Sequence, residues 1–101
     1  MNLEITKQVD GDRVTLSLSG QINTTTSVSL QNAIDAIGEG VRSLDIDFAG
    51  VEYIASSGLR VLAATAERME EKKAGLRILN VNPVVREVFD MTGFSDILTI
   101  V

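Results

Sequence analysis

Apolar residues alternate with polar ones at the start of the chain. Leu3 and Ile5 open the pattern, and beyond Asp10-Gly11 it resumes with Val14, Leu16 and Leu18 against Thr15, Ser17 and Ser19. A period of two places one side of a strand on a core, so this stretch predicts a β-hairpin. Asp-Gly tolerates the positive φ of a type I′ turn, and Gly20 is expected to end the second strand. From Asn23 the period changes. Leu30, Ala33, Ile34 and Ile37 recur at helical spacing, with Asn23 and Thr24-Thr25-Thr26 as candidate N-caps and Gly38 and Gly40 as the stop. A helix of about three to four turns is predicted here.

Leu44, Ile46 and Phe48 alternate with Asp45 and Asp47, which predicts a strand with one apolar and one acidic face. Leu59, Leu62, Ala66 and Met69 predict a second helix from about Ser57 to Lys73, ending before Gly75. Leu76 to Val81 reads as a short strand. Asn82-Pro83 opens a third helix, since Asn caps free amides and Pro at the first helical position loses no intrahelical donor. Val84, Val85, Val88 and Phe89 are expected on its buried face, with Gly93 at its C-cap and a last strand from Ile97 to Val101. The order β-β-α-β-α-β-α-β predicts one α/β domain over residues 1–101, with about three to four helices. Its sheet is mixed and mostly parallel, beginning with the hairpin.

Composition narrows the chemistry. The 101 residues include no Cys and no His, which excludes disulfides, thiol catalysis and the Ser-His-Asp triad, and removes the usual ligands of zinc, copper and iron. The expectation is therefore a protein that is not an enzyme and needs no cofactor or metal. Nine Lys plus Arg against fourteen Asp plus Glu give a net charge of -5, and neither half hides a basic patch: 3 against 7 through Gly50, 6 against 7 beyond it. No nucleic-acid or anionic-membrane partner is expected. The longest small or apolar run, Val61 to Ala66, is far short of the roughly 20 residues of a membrane span. Glu4 and Lys7 interrupt any apolar leader, so a cytoplasmic protein is expected.

The segment from Phe48 to Leu62 is expected to run from a strand end through a loop into a helix start, where α/β proteins place functional groups. The first amides of a helix lack internal partners and favour an anion. Ser56 and Ser57 stand there, beside Gly58. The plain reading of these serines is an N-cap, and local sequence favours it. A nucleophile elbow fails because Ile54 replaces the first glycine and no His is available; a P-loop fails because no Lys follows Gly58. Asp45 and Asp47 could be offered to a divalent cation but read better as a solvated strand face. Asn23 reads as a cap, Tyr53 and Phe94 as packing residues, and Val28 lies off the apolar stripe of its helix, exposed.

Three motifs in order resemble the STAS domain family, specifically its stand-alone bacterial anti-sigma-factor antagonists. They are Gly20-Gln21-Ile22-Asn23, Ile54-Ala55-Ser56-Ser57-Gly58-Leu59, and Asn82-Pro83-Val84-Val85-Arg86-Glu87-Val88-Phe89 with Thr92-Gly93-Phe94. The resemblance implies the STAS fold and a partner switch. The unphosphorylated protein would bind an anti-sigma factor that is also a serine kinase, freeing a sigma factor for transcription, and a PP2C-type phosphatase would reverse phosphorylation. It carries the phosphoacceptor to Ser56 and partner contacts to Asn23, Val28, Ser57, Gly58 and Leu59, in a monomer or weak homodimer. Ala55 stands where the family usually has aspartate, and Asn23 where it usually has an acidic residue. The competing reading is a STAS accessory or scaffold subunit, in a transport system or signalling complex, with no phosphate turnover.

Overall fold

The computed structural model describes residues 2–101, as a four-stranded sheet with helices packed on its apolar face. The elements are β1 (Leu3–Asp10), β2 (Arg13–Ile22), α1 (Thr26–Asp35), β3 (Ser43–Ile54), α2 (Ser56–Glu71), β4 (Gly75–Leu79), α3 (Pro83–Thr92) and α4 (Phe94–Ile97). Strand order is β1-β2-β3-β4, with the hairpin pair antiparallel and both later pairings parallel.

The hairpin forms as expected, but its turn differs. Asp10 pairs with Arg13, so Gly11-Asp12 is the two-residue loop, and Gly11 alone takes a positive φ, 63°. A single positive φ at the first central residue belongs to the type II′ pattern rather than type I′. Nor does Gly20 end β2, which continues to Ile22.

β3 is longer than the alternation of Leu44, Ile46 and Phe48 suggests, and the expected loop after Phe48 is absent. Two register shifts against β2 explain this: Ser17 faces Asp47 while Ser19 faces Gly50, and Gly20 faces Val51 while Gln21 faces Tyr53. Each shift inserts one residue into β3, turning Val51 and then Ile54 back to the core after the simple period has failed. Tyr53, expected to pack, is 49% exposed.

One core joins the sheet to the helices. Val14, Leu16, Leu18, Ile22, Leu44, Ile46, Phe48 and Ile78 meet Leu30 and Ile34 of α1, Leu59, Leu62 and Met69 of α2, and Val85 and Phe89 of α3. The Phe48 and Phe89 rings lie 6.0 Å apart at 57°, within the range of favourable tilted aromatic pairs. Asn82 caps α3 by accepting from the Val85 amide at 2.8 Å, and its own amide group donates to the Val51 carbonyl at 2.7 Å, fixing the helix start to β3. Val84 is 58% exposed, because α3 turns Val85 and Phe89 inward instead.

The predicted last strand, Ile97 to Val101, does not form: a short helix, α4, precedes it and takes in Ile97, and the residues beyond are irregular. Ile97 closes α4, and only one isolated bridge, Ile78 to Ile100, remains of strand pairing. The cause is local: Ser95 donates to the Asp90 carboxylate, which also accepts from Arg86, and the Leu98 amide bonds back to the Phe94 carbonyl. These bonds hold the chain in a turn past Gly93 and lower the Asp90 carboxyl below its usual range, first through Ser95. Phe94 packs half-buried against the core.

The acidic face of β3 also departs from expectation. Asp45 is buried, not solvated, and both its oxygens accept from Arg77 of β4, at 2.9 and 2.7 Å. Asp47 accepts from the Ala49 amide and the Asn80 side chain. Both bonds to Asp47 fall on Oδ1, so the ion pair occupies both Asp45 oxygens while Asp47 keeps Oδ2. The Arg77 hydrogen bond, against the opposing effect of burial, holds the Asp45 carboxyl below the ordinary carboxylate range. Its stabilisation is therefore complete above the unfolded-state value near ~3.9 and fades as pH falls through the lower folded value. Denaturant melts of the wild type and Asp45→Asn between roughly pH 2 and 6 are expected to show the wild type more stable at the top of that window, with the gap closing on acidification.

Candidate functional site

α1, α2 and α3 all begin where parallel strands end, so their first turns share one edge of the sheet. The closest junction joins α1 and α2. Ile22 and Ile54 pair as the last residues of β2 and β3, and the Ala55 amide donates to the Ile22 carbonyl at 2.8 Å.

On the α1 side, Asn23 does cap. Its Oδ1 accepts from the Thr25 and Thr26 amides at 3.0 and 2.9 Å, and its carbonyl accepts from the Ser27 amide at 2.8 Å. Thr26 reciprocates: its hydroxyl accepts from the Asn23 amide at 2.8 Å and donates to the Gln21 carbonyl at 2.7 Å. This two-way arrangement works like a capping box and buries Thr26. The Thr run concealed that role, since three adjacent threonines offer the same local signal.

On the α2 side neither serine caps. Ala55 holds the N-cap position in extended conformation, φ -92° and ψ 171°, and its carbonyl accepts from the Gly58 and Leu59 amides at 3.0 and 3.2 Å. Ala55 has no polar side-chain atom, and no side chain caps this helix start. The helix therefore begins at Ser56, one residue before the predicted start, and ends at Glu71. Ser56 is exposed. Ser57 is half-buried and turns its hydroxyl inward, where the oxygen has no hydrogen-bond partner among the described residues. An orphaned buried hydroxyl costs roughly 1–3 kcal/mol.

Gly58 sets the depth of this first turn. A Cβ there would lie 2.4 Å from Ile22 Cγ2 and 2.8 Å from Ile54 Cγ1, so only glycine lets α2 descend onto the paired isoleucines. Leu59 is 6% exposed and packs in the core, so it braces the site from beneath. Val28, in the first turn of α1, is 59% exposed. Ser56 and Val28 thus face outward, Asn23 and Ser57 are half-buried, and Gly58 and Leu59 lie beneath them.

The chemistry available is that of an acceptor. Ser56 offers a free hydroxyl beside amides that have no intrahelical partner, at the positive end of the helix dipole. The first turns of α1 and α2 carry no acidic residue, and the chain has no His, so nothing on its own helix turn is placed to deprotonate that hydroxyl.

The family model described as Mlab, STAS domain matches residues 5–100. The chain belongs to the STAS domain family. This STAS domain is 28% identical over 103 residues to the anti-sigma-B factor antagonist of Listeria monocytogenes, covering 99% of this chain and 90% of that protein. The crystal structure of an anti-sigma factor antagonist from Mycobacterium paratuberculosis matches with a TM-score of 0.87 and 28% identity, over 97% of this chain and 84% of that one. The Bacillus cell fate determinant SpoIIAA in its phosphorylated form shares the fold, with a TM-score of 0.76 and 18% identity over 97% and 91% of the two chains. No helix among the described residues is long and apolar enough to cross a membrane.

Two substitutions separate the roles of neighbouring residues in this STAS domain. Gly58→Ala is expected to destabilise it by about 1–3 kcal/mol in urea melts, because the added methyl overpacks Ile22 and Ile54. Ser57→Ala removes an unpaired hydroxyl and is expected to leave the melting temperature unchanged or raise it.

Proposed function

We propose that this STAS domain is an anti-sigma-factor antagonist whose partner choice is set by phosphorylation of Ser56. One observation carries the reading: Ser56 presents an exposed hydroxyl, free of any capping bond, at a helix start seated beside a second one. The relatives named as antagonists supply the class of partner, an anti-sigma factor. In this reading the protein is a substrate and binding partner of enzymes and not a catalyst itself.

The partner is an anti-sigma factor that is also a serine kinase using ATP. Ser56 Oγ attacks the γ-phosphorus, and a base on the kinase takes the hydroxyl proton. The new O–P bond forms as the bond to the β–γ bridging oxygen breaks, and ADP leaves. A PP2C-type phosphatase transfers the phosphoryl group to water, restoring the hydroxyl and releasing phosphate.

The switch needs no refolding. Phosphoserine adds about -1.5 to -2 charge, and a helix N-terminus tolerates it. SpoIIAA, which shares this fold, has been solved in both unphosphorylated and phosphorylated forms. The conflict arises at the interface. Val28 in the first turn of α1, Tyr53 near the end of β3 and Val84 in the first turn of α3 are exposed apolar side chains on the same edge as Ser56. A partner that covers them must desolvate the phosphate. A loss of about 3 kcal/mol there is already roughly a hundredfold in affinity.

Titration calorimetry of the cognate anti-sigma kinase against wild type, Ser56→Ala and Ser56→Asp tests this reading. The alanine variant is expected to bind like unmodified wild type and the aspartate variant at least about tenfold more weakly, one charge being a partial mimic of two. Equal affinities for all three, with no phosphate incorporated, would instead support a docking module without phosphate turnover.

A further inference from the structure

The cation nearest Ser56 along α2 has no partner. Arg60 stands four residues on, exposed, and it makes no ion pair or side-chain hydrogen bond among the described residues. Residues at i and i+4 lie one above the other on a helix, and side chains lean toward the N-terminus, which puts position 56 within reach of an arginine at position 60.

Its placement is electrostatically adverse as it stands. A positive side chain in the N-terminal part of a helix opposes the macrodipole, and α2 carries no acidic residue in its first turn to offset it. The neighbouring α1 start offers none either. Glu67, the next acid along α2, is seven residues from Arg60, beyond the i+4 reach of a helical pair.

We propose that Arg60 is the intramolecular clamp of the phosphate on Ser56. This rests on Ser56 being the acceptor. Once modified, Ser56 places a dianion one helical turn ahead of a planar guanidinium whose fork of donors matches phosphate oxygens. The pairing converts an adverse local charge into a favourable i,i+4 contact. Arg60 thus acts as a positioning residue of the modified state, fixing the phosphate against the helix surface rather than touching the reacting atoms. Glu52 on β3, four residues before Ser56 in sequence, carries the same sign as the dianion and offers it no counter-charge, whereas Arg60 does.

The test uses the full chain with phosphoserine installed at position 56 by genetic encoding, so that it does not depend on any kinase. Phosphorus NMR then follows the second phosphate ionisation, near ~6 in free phosphoserine, in wild type, Arg60→Gln and Arg60→Lys. A clamp favours the dianion, so removing it is expected to raise that pKa by about 0.3 unit or more, with lysine restoring part of the shift. The difference is expected to shrink at 1 M salt, where the Debye length is about 3 Å. The phosphate is also expected to raise the melting temperature of wild type more than that of Arg60→Gln. Identical ionisation of wild type and Arg60→Gln overturns the clamp. A normal clamp in a chain that its kinase never labels at Ser56 would overturn the phosphorylation switch instead.

Discussion

The flush ending of β2 and β3 is the constraint from which the rest follows. Ile22 and Ile54 pair as terminal residues, the Ala55 amide bonds to the Ile22 carbonyl, and Gly58 lets the first turn of α2 rest on both side chains. Because parallel strands must send their crossover helices from the same end, α1 and α2 start side by side. Two sets of unpaired helix-start amides are thereby concentrated at one edge. Asn23 and Thr26 satisfy the first set internally. In the second, the Ala55 carbonyl takes the Gly58 and Leu59 amides, and no side chain caps the turn that carries Ser56.

That asymmetry gives the site its character. α1 closes its own N-terminus with a reciprocal side-chain cap, whereas α2 has alanine at the capping position and leaves an exposed serine free. A serine that capped the helix would spend its hydroxyl on a backbone amide and be a poorer phosphoacceptor. The buried floor of Ile22, Ile54 and Leu59 lies beneath the site, so the proposed change of charge at Ser56 would act on the surface and leave the core as it is.

Much of this was legible in the residues because local and tertiary demands agree along most of the chain. The hairpin, the apolar stripes of α1 and α2, and the Asn82-Pro83 helix start follow from period and capping chemistry alone. The departures occur where long-range contacts override a local signal. The bulges of β3 break its period of two, so the strand beyond Phe48 reads as a loop until its pairing with β2 is known. Asp45 reads as solvated because its partner, Arg77, lies 32 residues away on another strand. The run from Ile97 departs for a local reason instead: Ser95 and Arg86 converge on Asp90 as α4 forms over Phe94–Ile97, and only Ile100 keeps a bridge to the sheet. At the site itself, Ser56 and Asn23 were visible as helix-start residues. Which of them caps depended on Ala55, whose lack of a polar atom says nothing until the backbone shows it at the N-cap.

The central claim is that Ser56, and no other hydroxyl, is where an enzyme writes charge onto this surface. Intact-mass analysis after incubation with the cognate anti-sigma kinase and ATP, with the modified residue mapped by peptide fragmentation, tests it most directly. One added phosphate is expected, located at Ser56 and absent from Ser56→Ala. Phosphate on Ser57 or on the threonines of α1, or none at all under conditions where the kinase binds the protein, would contradict it.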